Sequence, residues 1–166
     1  MRRNDREVTD PERIHEIIAH AGILHLGLFD EEYPYVVPMH YGCEWIEDLP
    51  VFYMHCANEG HKLDLIRRNP NCFAELECDL QLISGEDNPC AYGSAYASVM
   101  ARGKVEIVMD SDVKIHALKV FMKQQTGRDF AFTEAMAASV AILKVTVSEL
   151  SAKERKAPHG MTGSVL

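Results

Sequence analysis

The segment His55-Cys56-Ala57-Asn58-Glu59-Gly60-His61-Lys62, which continues to Asn69-Pro70, contains the change of pattern that decides the fold. The preceding residues, Val51 to Cys56, are apolar and too few for a helix, so they predict a strand. Residues 57–60 read as a loop, and His61 to Arg68 reads as a short helix that ends before Asn69-Pro70. A strand, a glycine-containing loop and a helix with a lysine in its first turn therefore follow one another directly.

This order of elements is typical of an anion-binding site. Free backbone N–H groups at a helix start, together with the Lys62 ammonium, make a site for a phosphate group. The alternative is that Lys62 is an ordinary surface lysine and that Gly60 only turns the chain. The residues by themselves leave both interpretations open.

Working outward, strand-like segments dominate the rest of the chain. Pro38 lies inside one of them and lacks a ladder donor, so that strand is expected at a sheet edge or at a bulge. Gly103 predicts a bend in the longest one, and residues 81–93 read as a loop. The segments, besides residues 51–56, are Ile23 to Phe29, Tyr35 to Cys43, Cys72 to Cys78, Ala95 to Met109 and Ile142 to Leu150.

Two longer helices complete the predicted elements. The first runs from Asp10 to Ala21, with a Thr9–Glu12 capping box and Pro11 in its first turn. The second runs from Asp110 through Gln125 and is followed by Gly127. The strands follow one another with tight turns, which favours antiparallel pairing, and a small antiparallel sheet removes its edges best by closing into a barrel. The predicted fold class is therefore α+β, with a six-stranded antiparallel barrel and flanking helices.

Length, charge and composition narrow the function classes. The 166 residues fit one domain, and the net charge of −8 argues against general nucleic-acid binding. The N-terminal residues carry no apolar stretch, so we expect a cytoplasmic protein with no membrane partner. The five cysteines are then free thiols. G-x-G-x-x-G, P-loop and G-x-S-x-G motifs are absent from the sequence, which argues against those sites.

Several segments, taken in order, resemble one known family. Met1 to Val8, Pro34 to Pro38, and His55 to Lys62 followed by Asp64-Leu65-Ile66 resemble the nitroimidazole-resistance (Nim-type) branch of the pyridoxamine-5'-phosphate-oxidase-like flavoproteins. The resemblance extends from Met1 to about Lys153. It implies a Greek-key split β-barrel in residues 1–152 and a homodimer, while the polar composition of residues 153–166 predicts a flexible tail. It also implies an FMN site at each subunit interface, with FAD as the alternative cofactor.

The resemblance also implies roles for individual residues. Lys62 and His61 would hold the phosphate, and residues 55–57 would lie along the phosphate and the ribityl chain. Ser98 and Val99 would border the cofactor from the long strand. The residues of the Pro38 strand would line the flavin ring, with His40 as the candidate catalytic group. The full set is Val37, Pro38, Met39, His40, Tyr41, His55, Cys56, Ala57, His61, Lys62, Ser98 and Val99.

The activity that this resemblance implies is reduction of nitro groups, or of other small electrophiles, by reduced flavin. One alternative is a flavin- or haem-binding carrier or sensor without turnover, in which His25, His40 or His55 would bind iron. Another is a pyridoxamine-phosphate-oxidase-like oxidase, although the arginine-rich C-terminal end of that signature is not visible in this sequence.

A metal site is not expected from the sequence. His55, Cys56 and His61 lie close together but do not have the paired spacing of a structural zinc site. Glu75 and Glu77 alternate on one predicted strand and share a face, which we interpret as a solvated side of the sheet.

Overall fold

The structure, a computed structural model, describes residues 4–157. Within that range the chain forms eight strands and four α-helices. The helices are α1 (Pro11–His20), α2 (His61–Arg68), α3 (Ser111–Thr126) and α4 (Glu134–Ala138). The strands are β1 (Glu7–Val8), β2 (Leu24–Asp30), β3 (Tyr33–Met39), β4 (Gly42–Ile46), β5 (Leu49–Cys56), β6 (Asn71–Ile83), β7 (Gly93–Val108) and β8 (Ala141–Arg155).

All strands belong to one antiparallel sheet in the order β3-β2-β6-β7-β8-β5-β4, and the two-residue β1 pairs with β8. The α+β class with an antiparallel split barrel and flanking helices is confirmed. The sheet is open rather than closed, because β3 and β4 at its two ends do not pair with each other.

The strand count is eight rather than the predicted six. Beyond the short β1, the predicted strand from Tyr35 to Cys43 is two strands, interrupted at His40 and Tyr41. The Tyr41 side chain is fully buried, and its hydroxyl donates toward the carbonyls of Ile18 and Ala21 at the end of α1. These hydrogen bonds hold Tyr41 in the core and interrupt the strand. A segment whose sequence predicts one strand therefore forms two.

The proline and glycine positions in the strands behave as predicted. β3 is an edge strand, and it pairs with β2 in an unshifted register from Asp30↔Tyr33 to Leu24↔Met39, so Pro38 marks an edge and not a bulge. In β7 the register with β8 shifts between Arg102 and Gly103. A Cβ atom at Gly103 would lie 2.3 Å from the Thr146 carbonyl oxygen, which accounts for glycine there.

The helices agree with the prediction except in two details. The residue that caps α1 is Asp10, whose carboxylate accepts from the Glu12 amide, and not Thr9. Asp110 caps α3 as expected, and Gly127 ends it at φ +69°. The short α4 was not predicted.

Two predicted boundaries differ from those of the structure. β6 continues to Ile83 and β7 begins at Gly93, so the loop between them is shorter than the predicted residues 81–93. β8 extends to Arg155, past the predicted domain end at residue 152, because residues 152–155 pair with β1 and β7. The remainder of the predicted tail, residues 158–166, lies outside the described residues.

The core lies between one face of the sheet and helices α1 and α2. Helix α2 contributes Leu63, Leu65 and Ile66 to that core, which fixes the position of its first turn. Helix α3 packs closely on β4, since a Cβ atom at Gly42 would lie 2.4 Å from the Phe121 Cα. None of the helices within residues 4–157 is long and apolar enough to cross a membrane.

Candidate functional site

The first turn of α2 has the features of an anion site. Gly60 precedes the helix with φ +139°, a conformation that L-residues rarely adopt, and no side chain caps the helix. The Gly60 carbonyl accepts from the Leu63 amide at 2.9 Å, while the amides of the first helical residues have no acceptor within the helix. A Cβ atom at Gly60 would meet nothing within 4 Å, so the space beside Gly60, directly before these amides in the chain, is open.

Lys62 adds a positive charge beside these amides. Its side chain is half-buried, and its Nζ lies 3.6 Å from the Met39 sulfur. Among residues 4–157, no carboxylate lies within ion-pair distance of this ammonium. A cation that no acidic side chain neutralises, next to a helix N-terminus, is a natural partner for a phosphate group.

His61 points toward the turn between β2 and β3. Its Nε2 donates to the Asp30 carboxylate at 2.7 Å, and its ring meets the edge of Tyr35 with a centroid separation of 5.4 Å. The predicted phosphate-holding residue therefore already has an acidic partner, although its backbone amide remains at the start of α2.

His40 and Lys62 both lie close to His55. Burial, followed by the charges of His40 and Lys62, lowers the pKa of His55, so its imidazole is neutral near pH 7. The His55 ring meets the edge of Phe121 at 4.8 Å. The Nδ1 of the exposed His40 lies 3.2 Å from the Gly22 carbonyl oxygen and donates to it, which leaves Nε2 for a ligand.

Five of the predicted residues are thus gathered at one place, which we call the Lys62 group: Met39, His40, His55, Cys56 and Lys62. Burial raises the pKa of the Cys56 thiol, and Lys62 only partly opposes this, so Cys56 is a protonated thiol and not a nucleophile. The exposed Ala57 follows directly on the chain. The group combines a fixed cation, two imidazoles and a thioether at one end of the barrel.

The other predicted residues are placed differently. Val37 and Val99 pack in the core, and the hydroxyl of Tyr41 is bound to α1. Pro38 is exposed on the opposite face of β3 from Met39. Ser98 lies on β7, where it pairs with Glu77 and Lys153. No hydrogen bond or ion pair within the described part of the chain links Ser98 to the Lys62 group.

A groove that the sequence did not reveal runs across the outer face of the sheet. Its volume is about 1030 Å³, and its floor exposes apolar side chains that a solvated sheet face would not carry. Asp30 lies in its wall, so the groove borders the residue that binds His61. The most exposed apolar residues in the groove are Phe29 (64%), Tyr33 (76%), Val36 (58%) and Phe73 (40%).

His25, the third predicted iron ligand, also lines this groove, away from His40 and His55. Its Nδ1 lies 3.1 Å from the Glu75 carboxylate on the neighbouring strand. Burial, followed by the neighbouring Glu77, raises the pKa of Glu75, and His25 opposes this.

The chain has an open antiparallel split barrel with a basic helix N-terminus beside two strand ends. This fold places it among the split-barrel proteins of the flavoprotein type. The chain belongs to the pyridoxamine 5'-phosphate oxidase family, whose model matches residues 10–154.

Solved structures agree with this assignment. A Bacteroides thetaiotaomicron protein, provisionally assigned to 5-nitroimidazole antibiotic resistance, is 32% identical, with 89% of this chain and 86% of that chain covered and a TM-score of 0.76. A flavocytochrome from Azotobacter vinelandii is 20% identical, with 95% and 73% covered and a TM-score of 0.75. An FAD and heme binding protein from Mycobacterium smegmatis is 15% identical, with 94% and 77% covered and a TM-score of 0.75. The last two share the fold. No curated protein matched the chain.

The residues present fit a phosphate group of a flavin nucleotide. The open space at Gly60, the unneutralised Lys62 and the free amides of α2 supply positive charge and N–H donors for a dianion. The adjacent imidazoles and the Met39 thioether offer polar and apolar contacts of the kind that a flat heteroaromatic ring requires.

Proposed function

We propose that the protein binds FMN in a homodimer and uses it to reduce nitro groups or similar small electrophiles. The observation that carries the proposal is the Lys62 ammonium at the open N-terminus of α2, which forms no ion pair within residues 4–157, in a chain of the pyridoxamine 5'-phosphate oxidase family. FAD is the alternative cofactor, and its diphosphate would use the same donors.

Lys62 and the first amides of α2 bind the phosphate in this proposal. His61 contributes through its backbone, while its side chain, held by Asp30, fixes the first turn of α2 against the β2–β3 turn. Residues 55–57 follow the ribityl chain, because they form the end of β5 and the first loop position before Gly60 and α2.

The ring lies against Met39 and His40, the residues of the 37–41 segment that belong to the Lys62 group. The bond from His40 Nδ1 to the Gly22 carbonyl fixes the orientation of the imidazole. Its Nε2 then holds a hydrogen bond or a proton for a nitro oxygen of the substrate. When bound, the flavin supplies the electrons, and the protein orients ring and substrate.

A second copy of the chain covers the outer groove. The groove is lined by apolar residues and by both signs of charge, Glu31 and Glu32 in the β2–β3 turn and Arg102 and Lys104 on β7. A two-fold axis through such a face pairs acidic with basic side chains and buries Phe29 and Phe73. Ser98 and the strand that includes Val99 then reach the cofactor from the partner copy.

The first experiment is the visible spectrum of the purified protein, followed by turnover. We expect a flavin band after FMN is added, and reduction of a 5-nitroimidazole when a nicotinamide reductant is supplied. His40→Ala should slow turnover by a larger factor than it weakens FMN binding, and His20→Ala, at the exposed end of α1, serves as the control. A protein that gains no flavin band contradicts the proposal. A Soret band in place of a flavin band would favour the haem-binding alternative instead.

The dimer is tested separately. Phe73→Asp places a charge in the middle of the apolar floor, and light scattering should then report a monomer. Leu80→Asp, at an exposed apolar position outside the groove, should leave the dimer intact. A monomeric wild-type protein that binds FMN tightly would contradict the subunit-interface part of the proposal.

A further inference from the structure

Three possible metal ligands meet on the outer face of the sheet, outside the Lys62 group. His25 on β2 and Glu75 on β6 are direct cross-strand partners, and Glu77 follows two residues later on the same face of β6. One ligand atom from each of the three residues lies within 4.8 Å of the other two. The arrangement is built on two hydrogen-bonded strands and not on a loop, so the backbone holds it in place.

The spacing suits a cation. The His25 Nδ1 and the Glu75 Oε2 are 3.1 Å apart. Two ligands at about 2.1 Å from a metal and at right angles to each other are separated by about 3 Å, so this pair requires no rearrangement of the strands. The third ligand atom, on Glu77, lies within 4.8 Å of these two.

The charges also favour a cation. The cluster holds two carboxylates and one imidazole, and within residues 4–157 no lysine or arginine forms an ion pair with either glutamate. Arg13, a basic residue that pairs elsewhere on the sheet, is already bound to Glu16, Asp79 and Glu154. Two close carboxylates repel each other when both are ionised, and a divalent ion between them removes that repulsion.

We propose that His25, Glu75 and Glu77 bind one divalent first-row transition cation of the Mn²⁺ or Zn²⁺ type. One nitrogen and two carboxylates are the mixed donor set that such ions accept, while Ca²⁺ and Mg²⁺ favour oxygen alone. Three ligands leave open coordination positions directed into the groove. The proposal gives Glu75 and Glu77 a role beyond that of a solvated face, and it does not depend on flavin binding.

Mn²⁺ is the better probe because it binds weakly to thiols, and the chain has five cysteines. The fall in the EPR signal of free Mn²⁺ measures binding to the purified full-length protein, both with and without FMN. We expect one site per chain. His25→Ala and Glu77→Gln should each raise Kd about tenfold or more.

Matched controls separate this site from surface carboxylates and exposed imidazoles. Glu32→Gln removes a charge from the same groove, and His20→Ala removes an imidazole from the end of α1, so neither should change Kd. Mn²⁺ should also raise the unfolding temperature of the wild type but not of Glu77→Gln, since the ion joins β2 to β6. Absent binding, or an equal loss in Glu32→Gln, overturns the proposal. If the protein binds Mn²⁺ but does not bind FMN, the metal-site proposal is still supported.

Discussion

Replacing Lys62 with methionine tests the role of this residue as a phosphate-binding cation. Methionine keeps an unbranched side chain of similar length against Met39 but removes the ammonium, so the packing of α2 is preserved. Because Lys62 has no acidic partner within residues 4–157, its loss should leave no buried carboxylate unpaired. The free energy of unfolding should therefore change by less than about 0.5 kcal/mol.

The effect on FMN binding should be much larger. A charge-assisted hydrogen bond from a half-buried ammonium to a phosphate contributes about 1.5–3 kcal/mol, which corresponds to a roughly 10- to 150-fold rise in Kd. The helix amides remain, so binding should weaken without being abolished. Quenching of flavin fluorescence gives the dissociation constant directly.

Riboflavin, which lacks the phosphate, makes this test specific. Lys62→Met should weaken FMN binding and leave riboflavin binding unchanged, whereas Lys119→Met on the exposed side of α3 should alter neither. Equal losses for both ligands would show that Lys62 acts on the ring or on the fold. An unchanged FMN dissociation constant would refute the phosphate site altogether.

Three further outcomes follow from local features. Gly60→Ala forces φ +139° on an L-residue and should lower the free energy of unfolding in urea by about 1–3 kcal/mol. Gly22→Ala, in open space at ordinary φ, should leave it unchanged. Equal losses in the two variants would contradict the backbone explanation. Burial alone would raise the pKa of Glu44, but hydrogen bonds from its neighbours, His116 among them, hold this pKa below its usual value. Its stabilising contribution is full above the unfolded pKa near 4.5 and is lost as the pH falls through the folded pKa. The stability difference between wild type and Glu44→Gln should therefore shrink as the pH falls below about 4.5, and a constant difference would count against this explanation. An aromatic disulfide reagent at pH 8 should label Cys90 quickly and the buried thiols slowly, since Cys90 is exposed. If the rapid labelling persists in Cys90→Ser, another thiol is accessible and the prediction is wrong.

Much of the fold could be predicted from local signals. Helix α2 was placed correctly because Gly60 and the Asn69-Pro70 pair mark its two ends. The edge position of β3 followed from Pro38, and the irregularity in β7 followed from Gly103. In each case a single residue restricts the backbone whatever surrounds it.

The predictions that failed depend on tertiary contacts. The division of one strand-like segment into β3 and β4 comes from Tyr41, whose hydroxyl reaches α1 some twenty residues earlier in the chain. The groove was missed because apolar residues such as Val36 and Phe73, which alternate with core residues, read as ordinary strand formers. Only the sheet order places them on one exposed surface. Similarly, His25 meets Glu75 through strand pairing across 50 residues, which no local spacing reveals.

The two prolines of β3 limit how the protein can assemble. Pro34 and Pro38 belong to the same alternating set of residues in an edge strand, so the outward row of amides lacks two of its hydrogens. An added strand would find too few donors to continue the ladder, so this border of the sheet is closed to polymerisation and to fibril growth. Association through the β3 border is thereby disfavoured, whereas on the broad faces of the barrel shape and charge, rather than backbone pairing, select the neighbour.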